Sequence, residues 1–273
     1  MKRITLLLLV LLAGCDRQET HPWLGYVEGE NAFVSAPQAG WVARVAVTRG
    51  DWVKTGDLLF TLDDINQAAV RDQANAAIAL AQSQRIAAEA NLELTRKELA
   101  RQANLLALNA GTKQAYDVAK ASYESAAAQV SQIDAQIAQA RATLSGAAYQ
   151  LSERDVVART TGRVQDVYFR AGEYAPAMTP VVAVLPPQNI YVRFFVPETE
   201  FAHVKLGQRV AITCDGCAPN VTAAVTFIAQ QEEFTPPVIF SEDNREKLVF
   251  KVEARAPGGL RLNPGQPVEV RPL

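Results

Sequence analysis

Two histidines, His21 and His203, and three cysteines are too little material for a zinc site or a histidine-based catalytic dyad. An excess of one charge is lacking as well. Lys and Arg number 27 against 29 Asp and Glu, a net charge of −2, so no strongly basic balance exists to neutralise nucleic-acid phosphates. The apolar run at the amino terminus, Ile4 to Leu12, falls short of the roughly 20 residues that span a bilayer. Proline is absent between 66 and 152. What remains is a globular composition, 49 % hydrophobic and 21 % charged over 273 residues, able to bury a core and sized for roughly one to three domains. No catalytic and no metal-ligating residue is assigned.

The amino terminus reads as an export signal. Lys2 and Arg3 supply the positive region, Ile4 to Leu12 the apolar one, and Leu12-Ala13-Gly14-Cys15 the small residues before a cysteine. Those four resemble a bacterial lipobox, which implies cleavage before Cys15 and lipid on its thiol. An ordinary cleaved signal and a short uncleaved anchor are the alternatives. Asp16 resembles the inner-membrane retention signal of bacterial lipoproteins.

Further on, a pattern recurs. Gly40, Val42, Val45, Val47, Gly50, Asp51 and Val53 return as Gly162, Val164, Val167, Phe169, Gly172, Glu173 and Ala175, an offset of 122 residues. Each copy alternates apolar residues at the strand period of two, around a glycine turn. Each is too small to cover its own apolar face, so the two halves are expected to pack together. Residues 35–42, 50–59 and 62–63 resemble the first half of a biotinyl/lipoyl-type domain, and 158–186 the second. The family's modifiable lysine is missing from the tip, where Asp63-Asp64-Ile65 stands instead, and Lys54 falls in an earlier turn. No lipoylated or biotinylated lysine is therefore expected.

Between the halves, residues 66 to about 152 are rich in Ala, Gln, Glu and Leu, all good helix formers. Tyr116, Ala119, Tyr123, Ala126, Val130, Ile133, Ile137, Ala140, Leu144, Ala147 and Leu151 form a seam at alternating spacings of three and four, the coiled-coil pattern. A looser seam runs from Ile78 to Leu106, and Asn109-Ala110-Gly111-Thr112 is the turn. The expectation is an antiparallel hairpin reaching about 60 Å, at 1.5 Å per residue; folding back into a bundle is the alternative. From Gln188 onward, Ile190–Pro197, Arg209–Thr213, Val221–Ile228, Leu248–Ala254 and Val268–Val270 read as strands of a small β-barrel, with a short helix in Glu198–Val204. Cys214-Asp215-Gly216-Cys217 is read as a possible disulfide across a turn, with a redox or metal-sensing pair as the alternative.

This order, half-lipoyl, hairpin, half-lipoyl, barrel, resembles the periplasmic adaptor or membrane fusion protein family, often called HlyD-like. Phe234-Thr235-Pro236-Pro237-Val238 and Lys247-Leu248-Val249-Phe250 look like the subgroup serving ABC-type exporters. Leu262 to Val268 resembles the closing segment of the adaptor barrel, so a separate membrane-proximal domain is not expected. The fold class expected is α+β, mainly β: a split lipoyl-like β-sandwich, a long antiparallel α-helical coiled-coil hairpin and a small β-barrel. The division is 1–14 signal peptide, 15–33 lipidated linker, 34–63 first half-lipoyl, 64–152 hairpin, 153–187 second half-lipoyl and 188–273 barrel.

Adaptors that engage TolC-like outer-membrane channels carry an Arg, a Leu four residues on and a Ser seven beyond that. Arg101, Leu105 and Thr112 stand at that spacing here, with Thr for Ser. The resemblance implies a non-enzymatic adaptor in the periplasm, anchored by lipid to the inner membrane of a Gram-negative bacterium. Its implied partners are an ABC-type transporter, a TolC-like channel and further copies of itself, as a hexamer. A lipoprotein scaffold, a ligand- or metal-sensing envelope protein using Cys214 and Cys217, and the adaptor of a proton-driven pump are the alternatives.

Overall fold

A computed structural model describes residues 22–218, 221–234 and 248–273. Cys15, Asp16, His21 and most of the 234–247 segment lie outside the described residues. Along the chain run β1 (Trp23–Gly29), β2 (Ala32–Ser35), β3 (Gly40–Val45), β4 (Trp52–Val53), β5 (Leu58–Leu62), α1 (Ile65–Ala107) and α2 (Lys113–Ser152). Then come β6 (Asp155–Val157), β7 (Gly162–Val167), β8 (Tyr174–Ala175), β9 (Pro180–Leu185), β10 (Ile190–Pro197), α3 (Glu198–Phe201), β11 (Arg209–Thr213), β12 (Val221–Phe234), β13 (Leu248–Arg255) and β14 (Pro267–Pro272). Two compact units divide the described residues, one from Phe33 to Ala183, the other from Pro22 to Ala32 together with the described part of Val184–Leu273.

In the first unit two four-stranded sheets, ordered β2-β9-β7-β4 and β6-β5-β3-β8, each take strands from both copies of the repeat. The copies are joined reciprocally. The Gly50 amide donates to the Val164 carbonyl and the Gly172 amide to the Val42 carbonyl, both at 2.8 Å. Returning bonds run from Val42 to Glu173 and from Val164 to Asp51, again at 2.8 Å. Gly50 and Gly172 sit at φ 95° and 87°, left-handed conformations open to glycine at little cost. Asp51 accepts from the Thr48 amide at 2.7 Å, and Glu173 from the Arg170 amide at 2.8 Å, closing equivalent turns. The buried residues pair at the same offset: Ala36 with Ala158, Val42 with Val164, Val53 with Ala175, Leu59 with Val181, Phe60 with Val182 and Leu62 with Val184. The sandwich is a pseudo-two-fold body whose core is shared.

The hairpin leaves this body from β5 and returns through Arg154. Asp63, two residues ahead, accepts from the Ile65 amide at 3.1 Å, whereas Asp64 at the cap position makes no side-chain bond. Arg154, only 7 % exposed, donates to the Ala39 carbonyl at 3.0 Å and reaches Gln38 at 3.4 Å, across the space that a side chain at Gly40 would fill. Its carbonyl takes the Leu62 amide at 2.9 Å. The start and end of the insertion are thus stitched to the sandwich and to each other. Ala119, Ala126, Ile133, Ile137 and Ala147 of the expected α2 seam are buried, as are Ala74, Ile78 and Ala81 of α1, and Ile133 and Ile137 pack with Ala81. Arg85 closes the seam's edge by bonding Asp134 on the other helix at 2.6 Å, which holds its guanidinium pKa above the ordinary value. No helix among the described residues is long and apolar enough to cross a membrane.

The second unit is a closed six-stranded barrel, β1-β10-β13-β12-β11-β14. Its core alternates along the strands: Val192, Phe194 and Val196 of β10 are buried, as are Val210 and Ile212 of β11. The barrel corrects one expectation. Residues 23–29, read as part of a linker, form β1, which pairs with β10 and β14 and closes the barrel. Trp23 stacks on Phe194, centroids 5.5 Å apart. Gly25 is required there, because a Cβ would lie 2.4 Å from the Arg193 carbonyl and 2.7 Å from the Phe194 Cβ. Both are strand backbone or core positions that cannot rotate away. Gly25→Ala should therefore destabilise the barrel by roughly 1–3 kcal/mol, seen as a lower urea midpoint. An unchanged midpoint would show that β1 is dispensable to closure.

Candidate functional site

The tip is assembled from two capping motifs. At the end of α1, Leu108 is the cap and Asn109 takes a left-handed φ of 55°. The Asn109 amide then donates to Leu106 at 3.1 Å and the Ala110 amide to Leu105 at 2.9 Å, the paired bonds of a Schellman motif. Gly111 lies so close to this turn that a Cβ would sit 3.1 Å from the Leu105 Cβ. Thr112 then opens α2, its hydroxyl accepting from the Ala115 amide at 3.2 Å. Every backbone group of the reversal named here has a partner, so the tip is a defined surface.

Arg101, Leu105 and Thr112 are all at this end of the hairpin, Arg101 and Leu105 one turn apart on α1. Their states differ from the sequence reading in two respects. Leu105 is half-buried beneath the turn, and the apolar side chain standing into solvent is Leu108, 76 % exposed. Sequence reasoning missed Leu108, although its place as the last residue before a left-handed Asn was the available signal. Thr112 spends its acceptor on the helix cap, leaving its O–H for a partner. Arg101 is exposed and ion-paired with Glu98 at 3.1 Å, while Glu98 also takes the Gln102 amide at 2.8 Å.

Below the tip a cavity of about 680 Å³ runs between the helices, lined among others by Leu94, Thr95, Glu98, Thr112 and Val118. Leu94 and Val118 are largely exposed beside it. Farther down α1, Arg96 binds both oxygens of Glu93 at 2.8 and 2.9 Å and, with Lys97, holds that carboxyl at a pKa of about 2. Charged residues of the outer face pair with one another, and exposed apolar side chains are spread from Ile65, Leu80 and Ile86 along the hairpin to Leu94, Val118 and Leu108 near its end. At the tip itself, exposed Leu108 and Arg101 offer a partner an apolar and a cationic contact.

In the barrel unit, Cys214 and Cys217 are joined by a disulfide across a turn with Gly216 at φ 79°. The Gln266 amide donates toward Cys214 Sγ at 3.3 Å and the Asp215 carbonyl at 3.4 Å.

Comparison with known proteins gives the class. Residues 77–153 match the family described as the α-helical hairpin domain of RND membrane fusion proteins. The chain is 31 % identical over 129 residues to the "UPF0194 membrane protein in asrC 5'region" of Acidithiobacillus ferridurans, covering 46 % of this chain and 38 % of that one. It is 28 % identical over 222 residues to the multidrug export protein EmrA of Escherichia coli, covering 70 % and 57 %. In fold it is similar to the crystal structure of MacA from Actinobacillus actinomycetemcomitans, with a TM-score of 0.72 at 19 % identity over 93 % of this chain and 78 % of that one. The chain spans 38 to 63 % of the length of the first curated relatives it matches. Residues 77–153 match the hairpin domain of membrane fusion proteins, and the chain shares its fold with a solved protein named MacA.

The capping role of Thr112 is testable. Thr112→Ala should lower the stability of the hairpin by about 1 kcal/mol, with Thr112→Ser close to the parent. Thermal unfolding by circular dichroism reads both, and equal loss in the two variants would refute the cap.

Proposed function

We propose that this protein is the adaptor subunit of an export system, linking an inner-membrane transporter to a TolC-like outer-membrane channel through the tip of its hairpin. The observation that carries the reading is the tip itself: a rigid, fully capped reversal, presenting Leu108 and Arg101 at the end of a helix pair about 60 Å long, at 1.5 Å per residue. A pair of that length buries one seam and leaves most of its surface in water. Reach is what such a shape supplies.

In this reading the protein lies in the periplasm, held to the inner membrane by lipid on Cys15 with Asp16 as the retention signal, and it catalyses nothing. It carries no lipoyl or biotinyl arm. Copies assemble into a ring, a hexamer, in which a modest tip contact is repeated and avidity replaces a strong single contact. Arg101 offers a forked donor to carbonyls of channel helices, Leu108 and the edge of Leu105 an apolar knob, and the Thr112 hydroxyl a hydrogen bond. The transporter is of ABC type on the resemblance of the segments beginning at Phe234 and Lys247. The RND wording of the matching family supports the second reading, an adaptor of a proton-driven pump.

In-cell photo-crosslinking from a probe at Leu108, with mass spectrometry of what is trapped, tests the link. An outer-membrane channel is the expected product; self-crosslinks and inner-membrane proteins alone would remove the bridge. Arg101→Asp should abolish export while the protein still folds and reaches the envelope, and normal export in that variant would take Arg101 out of the mechanism.

A further inference from the structure

Strand alternation sorts the barrel surface beside β1 into two zones. Trp23 and Val27 point inward, so Leu24, Tyr26 and Glu28 point out, next to Arg193, Phe195 and Pro197 of β10. Toward Glu28 the outer face is ionic. Arg193 bonds Glu28 at 2.6 Å and Glu253 at 2.9 Å, Tyr191 donates to Glu28 at 2.5 Å, and Arg255 lies over the Tyr191 ring at 4.5 Å while reaching Glu30 at 3.2 Å. Burial works against the Arg193 charge, yet its hydrogen bonds and the two carboxylates hold its pKa above the ordinary value. This network is satisfied internally.

Toward Trp23 the same face is apolar and hollow. A cavity of about 980 Å³ opens there, walled by Leu24, Tyr26, Phe195 and Pro197, with Trp23 and Val268 buried at its base. The Tyr26 and Phe195 rings, both in the lining, stand 6.2 Å apart and tilted by 38°. Among the described residues its charged lining is Glu200, Asp215 and Glu269, with no Lys or Arg. Glu200 accepts from the Trp23 indole at 2.7 Å, which fixes its position, and Glu269 reaches Arg271 at 3.5 Å on the open side. Asp215 is presented by the disulfide-closed turn at Cys214 and Cys217.

We infer that this cavity is a binding site for a lipophilic organic cation. Aromatic and aliphatic walls take up apolar surface, and ring faces attract a positive charge that has shed part of its water. Three carboxylates around the mouth add attraction for a cation and repel an anion of the same shape. Among the described residues the three carboxylates do not converge into a set that could hold a bare metal ion. The inference stands apart from the adaptor reading: it concerns the barrel alone and holds whether or not the hairpin meets a channel.

Tetraphenylphosphonium and tetraphenylborate have nearly the same shape and opposite charge, which makes them the probes. In equilibrium dialysis against the full-length protein, the phosphonium should be retained roughly ten-fold more tightly than the borate. The pair Asp215→Asn and Glu269→Gln, both at exposed positions, should narrow that difference to about two-fold, with thermal unfolding unchanged. Phe195→Ala should weaken both ions. Equal retention of the two ions, retention of neither, or a charge preference that survives the neutralising pair would each overturn the site.

Discussion

Neither copy of the repeat can satisfy its own backbone. The bonds from Gly50 to Val164 and from Gly172 to Val42, with their returns from Val164 to Asp51 and from Val42 to Glu173, are made only between the copies. Unpaired, those amides and carbonyls would be left without partners beside an apolar core, at a cost of about 1–3 kcal/mol each. Closing the sandwich therefore requires the two copies, separated by the whole insertion, to meet. Everything between them must leave and return at nearly one point. An antiparallel hairpin does this without strain, and the bond between Leu62 and Arg154 marks where its two ends come together.

That constraint governs the site. Because both ends are pinned to the sandwich through Asp63 and Arg154, the seam runs from a fixed base, and the register of the two helices is set by Ala81 against Ile133 and Ile137 and by the Arg85–Asp134 pair. The tip inherits this register. Had the helices slid by one turn, Thr112 would no longer follow the Schellman turn at Asn109, and Gly111 would not lie against Leu105. Position at the far end is thus determined by hydrogen bonds at the near end, transmitted through a stiff coiled coil.

The barrel obeys a different economy. Closure removes sheet edges, and it is achieved by a strand taken from the far amino-terminal side, β1, set between β10 and β14. With inward positions committed to Trp23, Val27, Phe194 and their neighbours, the outward positions are free to carry chemistry, and they divide into an ionic zone around Arg193 and an apolar hollow beside Phe195.

Local pattern carried much of this protein into view. The offset repeat, the α2 seam and the strands Ile190–Pro197 and Arg209–Thr213 were legible because each is written in short-range periodicity, where apolar spacing alone decides which face is buried. Arg101, Leu105 and Thr112 could be placed near a tip for the same reason, since the turn between two seams is local. β1 was not legible: Gly25 and Gly29 interrupt its alternation, and its partners lie more than a hundred residues away, so only closure of the barrel makes Trp23–Gly29 a strand. The exchange of exposure between Leu105 and Leu108, and the use of the Thr112 hydroxyl as a cap, likewise arose from the geometry of the reversal, where one left-handed residue rotates the chain and decides which side chain faces water. Sequence determined which segments form helix, seam and sheet; tertiary structure decided which distant segments complete each other, because pairing across such separations depends on closure and fit that no local pattern encodes.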